Sequence, residues 1–242
     1  MNQWWDQWAE LGEMFGSLIL TFGVLSVILV AKQESLGLNT NLKRRLFMGL
    51  SVPCVVIIGL IAAKGFGGHG QINPAITLIV GAIKGHFQEV PAIIGFQLIG
   101  AIGAALLFLA CATFVGQWSK LNTMFKFNNQ GVIKTTGMEF FGNMFWLIPI
   151  SAFVVAFLKH DINFYELAIT AAIGKIVLVG AFEEFGAANF NAQIWFGKMI
   201  VTAVSQKGKI TLKEFSSEMS GLVMTMAIGI AFGYVAQPFF NR

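Results

Sequence analysis

The sequence predicts an all-α protein built into a membrane, and three observations carry that reading. Of its 242 residues, 56% are hydrophobic and 12% charged, with a mean hydropathy of +0.71; a soluble domain carries about 25% charged residues. Six long runs, 14–31, 46–63, 90–119, 140–158, 167–182 and 219–241, are free of charge except for Lys175 in the fifth. A membrane-crossing helix needs about 20 apolar residues, so this length accommodates six. Backbone polar groups in hydrocarbon must pair within the segment, which selects helices for runs of this kind.

The first run follows MNQWWDQWAE, which holds Asp6 and Glu10 but no Lys or Arg. It therefore lacks the basic start of a secretory signal. Trp4, Trp5 and Trp8 suit an interfacial aromatic belt, and Trp118 does the same at the end of the third run. Cys54 and Cys111 both lie inside apolar runs, at no disulfide-framework or metal-ligand spacing, and are expected to be buried. The net charge of +4 comes from 16 Lys+Arg and 12 Asp+Glu. The basic residues form no aromatic-interleaved patch, which excludes nucleic acid as a partner. No Ser/His/Asp, Cys/His or phosphate-loop constellation occurs, so neither an enzyme nor a bound metal or cofactor is expected.

Two further stretches are apolar but too short or too glycine-rich to span. They are 66–83, FGGHGQINPAITLIVGAI, and 185–197, FGAANFNAQIWFG. In each, a Gly/Ala-rich entry gives way to an Asn and then to a helical apolar pattern. Asn is a favoured N-cap, and Pro74 falls at the first helical position, where its missing N–H costs nothing. The stretches read as two half-helices.

An internal repeat relates them. Glu13-Met14-Phe15-Gly16 recurs as Glu139-Phe140-Phe141-Gly142, with Asn73 60 residues beyond the first glutamate and Asn191 52 beyond the second. The chain divides into repeats 1–135 and 136–242 within one structural domain, each with three spans and one half-helix, near 73–84 and 191–204. An odd number of spans per repeat makes the second copy inverted. Interrupted segments at matching positions point to a site at the membrane midplane.

These residues resemble the aquaporin and glycerol-facilitator family, the major intrinsic proteins, over nearly the whole chain. The stretch 13–23 is similar to the family's first helix, and Asn73-Pro74-Ala75 matches its signature tripeptide after span two. Gln97 with Gly100-Ala101 and Gly103-Ala104 resembles the third helix, Glu139 opens the fourth, and Gly229 with Gly233 resembles the small-residue sixth. The resemblance implies two half-helices meeting at the centre of a narrow pore, a homotetramer with one pore per protomer, and cytoplasmic termini. It also implies that Glu13 and Glu139 brace the two re-entrant loops. Half-helix N-termini carry partial positive charge; with two Asn amides as donors they oppose cations and protons while serving a neutral polar solute.

The second signature departs from the family. Counting back from Phe196-Gly197 makes Asn191 the pore asparagine, with Ala192 and Gln193 in place of Pro and Ala; counting forward from span five selects Asn189. The rigidity of the half-helix favours Asn191. The family's selectivity arginine is then Ile194, or Ala192 in the other register. The remaining filter positions fall on Ala188 in the loop, on Val179 (or Val177) in span five, and on Pro53 or Met48 in span two. Gln71 stands where the family has a His, with His69 displaced. Together they predict an apolar, uncharged outer constriction, which either passes larger neutral solutes or closes by dewetting. Lys175 reads as a snorkelling or paired lysine, Glu183-Glu184 as a solvated loop, and Gly229 and Gly233 as close helix contacts.

The expected function is a passive transmembrane channel for water or small neutral, glycerol-like solutes. The alternatives are a non-conducting scaffold subunit of a larger complex, and a proton or ion leak. A multi-pass protein of the plasma membrane is expected, with the bilayer as its first partner. Cytoplasmic termini put Lys32, Lys43, Arg44, Arg45, Lys120, Lys126, Lys134, Lys207, Lys209 and Lys213 outside, against Lys64, Lys84, Lys159 and Arg242 inside. The positive-inside rule favours the reverse. The basic exterior loops also offer a surface for an acidic protein partner.

Overall fold

The computed structural model describes residues 3–33, 37–38, 40–126, 131–182 and 191–241, with side chains for all of these except 3–7, 175 and 177–182. These residues form nine helices and no strand: α1 (Gln3–Ala31), α2 (Asn41–Gly65), α3 (Pro74–Lys84), α4 (Val90–Phe114), α5 (Trp118–Met124), α6 (Val132–Leu158), α7 (Phe164–Phe182), α8 (Ala192–Ser205) and α9 (Leu212–Phe240). Among the described residues, five helices are long and apolar enough to cross a membrane: α1 from Trp8, α2, α4, α6 and α9. α7 is the sixth long helix, and α3 and α8 are the two half-length ones. Large apolar side chains such as Leu50, Leu106, Phe145, Ile173 and Val235 point outward, as a lipid-facing surface requires.

Two expectations are corrected. The run 90–119 is not one helix: α4 stops at Phe114, and Gly116 takes a left-handed turn at φ +70. Its N–H bonds Thr113 O and the Gln117 N–H bonds Ala112 O, a glycine-capped helix end. Trp118 then opens the separate helix α5, with Leu121 and Met124 buried. Cys54 and Cys111 are exposed rather than buried. In a membrane protein both the core and the lipid face are apolar, so hydrophobic neighbours in sequence do not say which way a side chain points.

The packing order places the half-helices. α1 packs on α4 and α2, α6 on α9 and α7, and α2 meets α7. Each half-helix seats on helices of the other repeat: α3 on α9, and α8 on α4 and α1. The α3 seat depends on two glycines. A Cβ at Gly229 would lie 2.8 Å from Ala75 O, and one at Gly233 would lie 2.5 Å from Ala82 Cβ. Ala75, Ile79 and Ile83 of α3 join Trp146, Leu147, Ile150 and Val154 of α6 and Ile228 of α9 in one buried cluster. α8 contributes Val201 to a cluster with Leu25, Ala105 and Phe108.

Candidate pore

The first half-helix begins where a β-region residue meets a proline. Asn73 sits at φ −160, ψ 116, and its Oδ1 accepts from the Ala75 N–H at 3.1 Å. Pro74 occupies the first helical position. The second half-helix reproduces the cap without the proline. Asn191, at φ −152, ψ 109, accepts from the Gln193 N–H at 3.1 Å, and its own carbonyl takes the Trp195 N–H at 3.1 Å. Both asparagines are buried.

The two N-termini are joined through one carbonyl. Ile72 O accepts from Asn191 Nδ2 at 3.1 Å and from Gln193 Nε2 at 2.6 Å. Ile72 holds φ +31, an unfavourable value for a β-branched residue, and its neighbours explain why it stays there. Its N–H donates to Glu13 Oε2 at 2.7 Å, and the Gln71 N–H donates to Glu13 Oε1 at 2.9 Å. Gln97 Nε2 donates to Glu13 Oε2 at 3.1 Å and to Thr77 Oγ1 at 3.0 Å. The Glu13 carboxylate, on α1 and fully buried, thus ties the loop before α3 to α4. In the second repeat Glu139 accepts from Asn143 Nδ2 at 3.2 Å and from Thr225 Oγ1 at 3.3 Å. A narrow pocket lined by Glu139, Asn191, Ala192, Trp195, Gly221, Leu222 and Thr225 lies beside it, with room for about one water.

No family model matches the chain. The three-dimensional arrangement does have a counterpart: the X-ray structure of the aquaglyceroporin from Plasmodium falciparum is similar over 98% of this chain and 99% of that one, with a TM-score of 0.74 at 16% identity. This is an aquaporin fold. The two Asn-capped half-helices, the glutamate on α1 and the glycines on α9 are the parts of that fold whose geometry is given above.

On this aquaporin fold the filter positions fall into two groups. Ile194 is 7% exposed and lies in an apolar cluster with Leu20, Val24, Val52, Val56, Ile72 and Ala168, against which Met48 packs. Pro53 is buried within α2. Of the two span-two positions, only Met48 is packed against the cluster that holds Ile194. Ala188, Asn189 and Glu183-Glu184 lie outside the described residues, as do the side chains of Lys175, Val177 and Val179 and of Trp4 and Trp5. His69 is exposed and Gln71 half-buried.

Four polar residues at this site carry no family signature and escape the sequence reading. Gln193 and Ser17 are fully buried and bonded to each other at 2.6 Å, Ser17 Oγ donating to Gln193 Oε1. The Trp195 indole N–H donates to the Glu218 carboxylate, also buried, which joins α8 to α9. Ser17 stands one turn beyond Glu13, and that spacing is the sole sequence signal that points to it. Gln193 and Glu218 are polar residues in otherwise apolar helices, a general flag for a paired group.

Proposed function

We propose that the chain is a passive transmembrane channel for water or small neutral, glycerol-like solutes, with an apolar and uncharged selectivity filter. The observation that carries the reading is the meeting of two Asn-capped helix N-termini at Ile72 O. Each N-terminus carries roughly half a positive charge, and both point at the same midplane region. A neutral solute keeps its hydrogen bonds there while a cation is opposed. Asn73 and Asn191 are the solute-facing donors. Ile194, Met48, Pro53, Val179 and Ala188 form the outer constriction, and Glu13 and Glu139 hold the loops. The aquaglyceroporin with the similar fold supports the solute class by likeness of fold.

Stopped-flow light scattering of proteoliposomes tests this. Permeability to water or glycerol above that of empty vesicles is expected; permeability equal to empty vesicles for water, glycerol and urea rejects it. One observation favours a second reading, a non-conducting scaffold subunit: Ile194 is enclosed by apolar side chains from α1, α2 and α7. A stable co-purifying partner together with absent flux selects that reading. We further propose a homotetramer in the plasma membrane with cytoplasmic termini. Lys126→Cys in a background lacking the two native cysteines is labelled from outside in this orientation; labelling from the cytoplasm alone reverses it.

A further inference from the structure

We propose that Gln193 is a positioning residue for Asn191, closing a ring of hydrogen bonds that locks the second half-helix to the first repeat; this rests on the channel reading above. The ring is complete. The Ile72 N–H donates to Glu13 Oε2 at 2.7 Å, Ile72 O accepts from Gln193 Nε2 at 2.6 Å, and Gln193 Oε1 accepts from Ser17 Oγ at 2.6 Å. Ser17 returns the circuit to Glu13 through a single turn of α1. Glu13, Ser17 and Gln193 are each 0% exposed and Ile72 2%.

Gln193 acts on Asn191 twice. Its backbone N–H holds Asn191 Oδ1 at 3.1 Å, and its side chain shares Ile72 O with Asn191 Nδ2. A carbonyl oxygen has two lone pairs, so Ile72 O is fully used by α8 and withdrawn from any solute. The amide plane of Asn191 is fixed at its oxygen and at one N–H, and its second N–H is left as the donor for a passing solute. The first half-helix has no equivalent, because the matching position is Ala75. Where Pro74 stiffens one entry covalently, Gln193 ties down the other by hydrogen bonds.

The test uses Gln193→Glu, Gln193→Ala, Ser17→Ala, Ser17→Thr and the Ser17→Ala/Gln193→Ala double variant of the full chain. Glutamate keeps the size and the acceptor for Ser17 but loses the donor to Ile72 O. It frees both that carbonyl and Asn191. The glycerol-to-water permeability ratio of proteoliposomes should shift by about tenfold in Gln193→Glu and Gln193→Ala, the worth of one buried hydrogen bond; Ser17→Thr, which keeps the hydroxyl, retains the parental ratio. A merely structural role lowers both fluxes together and leaves the ratio unmoved, and that result overturns the proposal. The second measurement needs no flux. Thermal midpoints of Ser17→Ala and Gln193→Ala should be non-additive in the double variant, and additive shifts overturn the ring. If the parental protein carries no solute, the channel reading fails while this cycle still decides the ring.

Discussion

At α3 the chain enters the membrane centre through Asn73-Pro74-Ala75, whose polar contacts are the cap and the backbone; at α8 it enters through Asn191-Ala192-Gln193, whose third side chain reaches both α1 and the opposite loop. The caps match to within about ten degrees in φ and ψ. What secures them differs. The first entry is held from outside, by the Glu13 carboxylate on the loop and by α9 glycines that bring backbone against backbone. The second is held by its own side chains, Gln193 toward α1 and Trp195 toward Glu218. The same local geometry thus tolerates two kinds of support, one resting on close packing and the other on buried polar pairs.

Four substitutions sharpen this contrast, beginning with the largest effect. Glu13→Ala strands the Gln71 and Ile72 N–H groups and Gln97 Nε2 together, at about 1–3 kcal/mol for each buried donor. It should give the largest fall in the thermal midpoint of the detergent-solubilised protein; a shift near zero means that α9 packing alone holds the first entry. Ile194→Arg comes next. The cluster around Ile194 contains no carboxylate, and an uncompensated buried charge costs roughly 3–5 kcal/mol. Arginine at this position should lower the midpoint by about 10 °C; a midpoint at or above the parental value shows that water reaches the constriction.

The third pits the two helix seats against each other. Gly229→Ala drives a methyl to 2.8 Å from Ala75 O, a backbone atom that cannot yield, whereas Gly197→Ala meets Thr21 Cγ2 at 2.4 Å, a side-chain methyl. Overpacking costs about 1–3 kcal/mol. Gly229→Ala should lie at the upper end, and Thr21→Ser should rescue Gly197→Ala but not Gly229→Ala. Equal losses without rescue erase the distinction. The smallest effect is a gain. Ala192 is the first residue of α8, and Asn191 before it is extended, which suits the residue preceding a proline. Ala192→Pro should stabilise by about 0.4–1 kcal/mol, read as a small rise in midpoint. A fall shows that the Ala192 N–H is in use.

Much of the architecture is legible in the chain because the signals are local. A cap acts over two or three residues and a proline on its own φ, so Asn73, Pro74 and Asn191 can be read in place. The break after Phe114 was equally local, in Gly116, yet the continuous apolar run masked it. The direction of Cys54 and Cys111 was not legible, because membrane composition does not separate core from lipid face. The residues around the second entry were less legible still. Ser17, Gln193, Trp195 and Glu218 pair across separations of 176 and 23 residues, and no pattern in either partner's neighbourhood marks the other.

By itself, the sequence determined an all-α membrane protein with six long helices, two Asn-capped half-helices and a pair of symmetric glutamates, since hydropathy, caps and repeats are properties of short segments. The tertiary structure decided which helices carry each half-helix, that Ile194 lies among apolar side chains from three other helices, and that a single carbonyl receives both amides of the second motif. Those outcomes depend on the approach of backbones within 3 Å at glycine positions and on partners far apart in the chain. Only the folded chain brings them together.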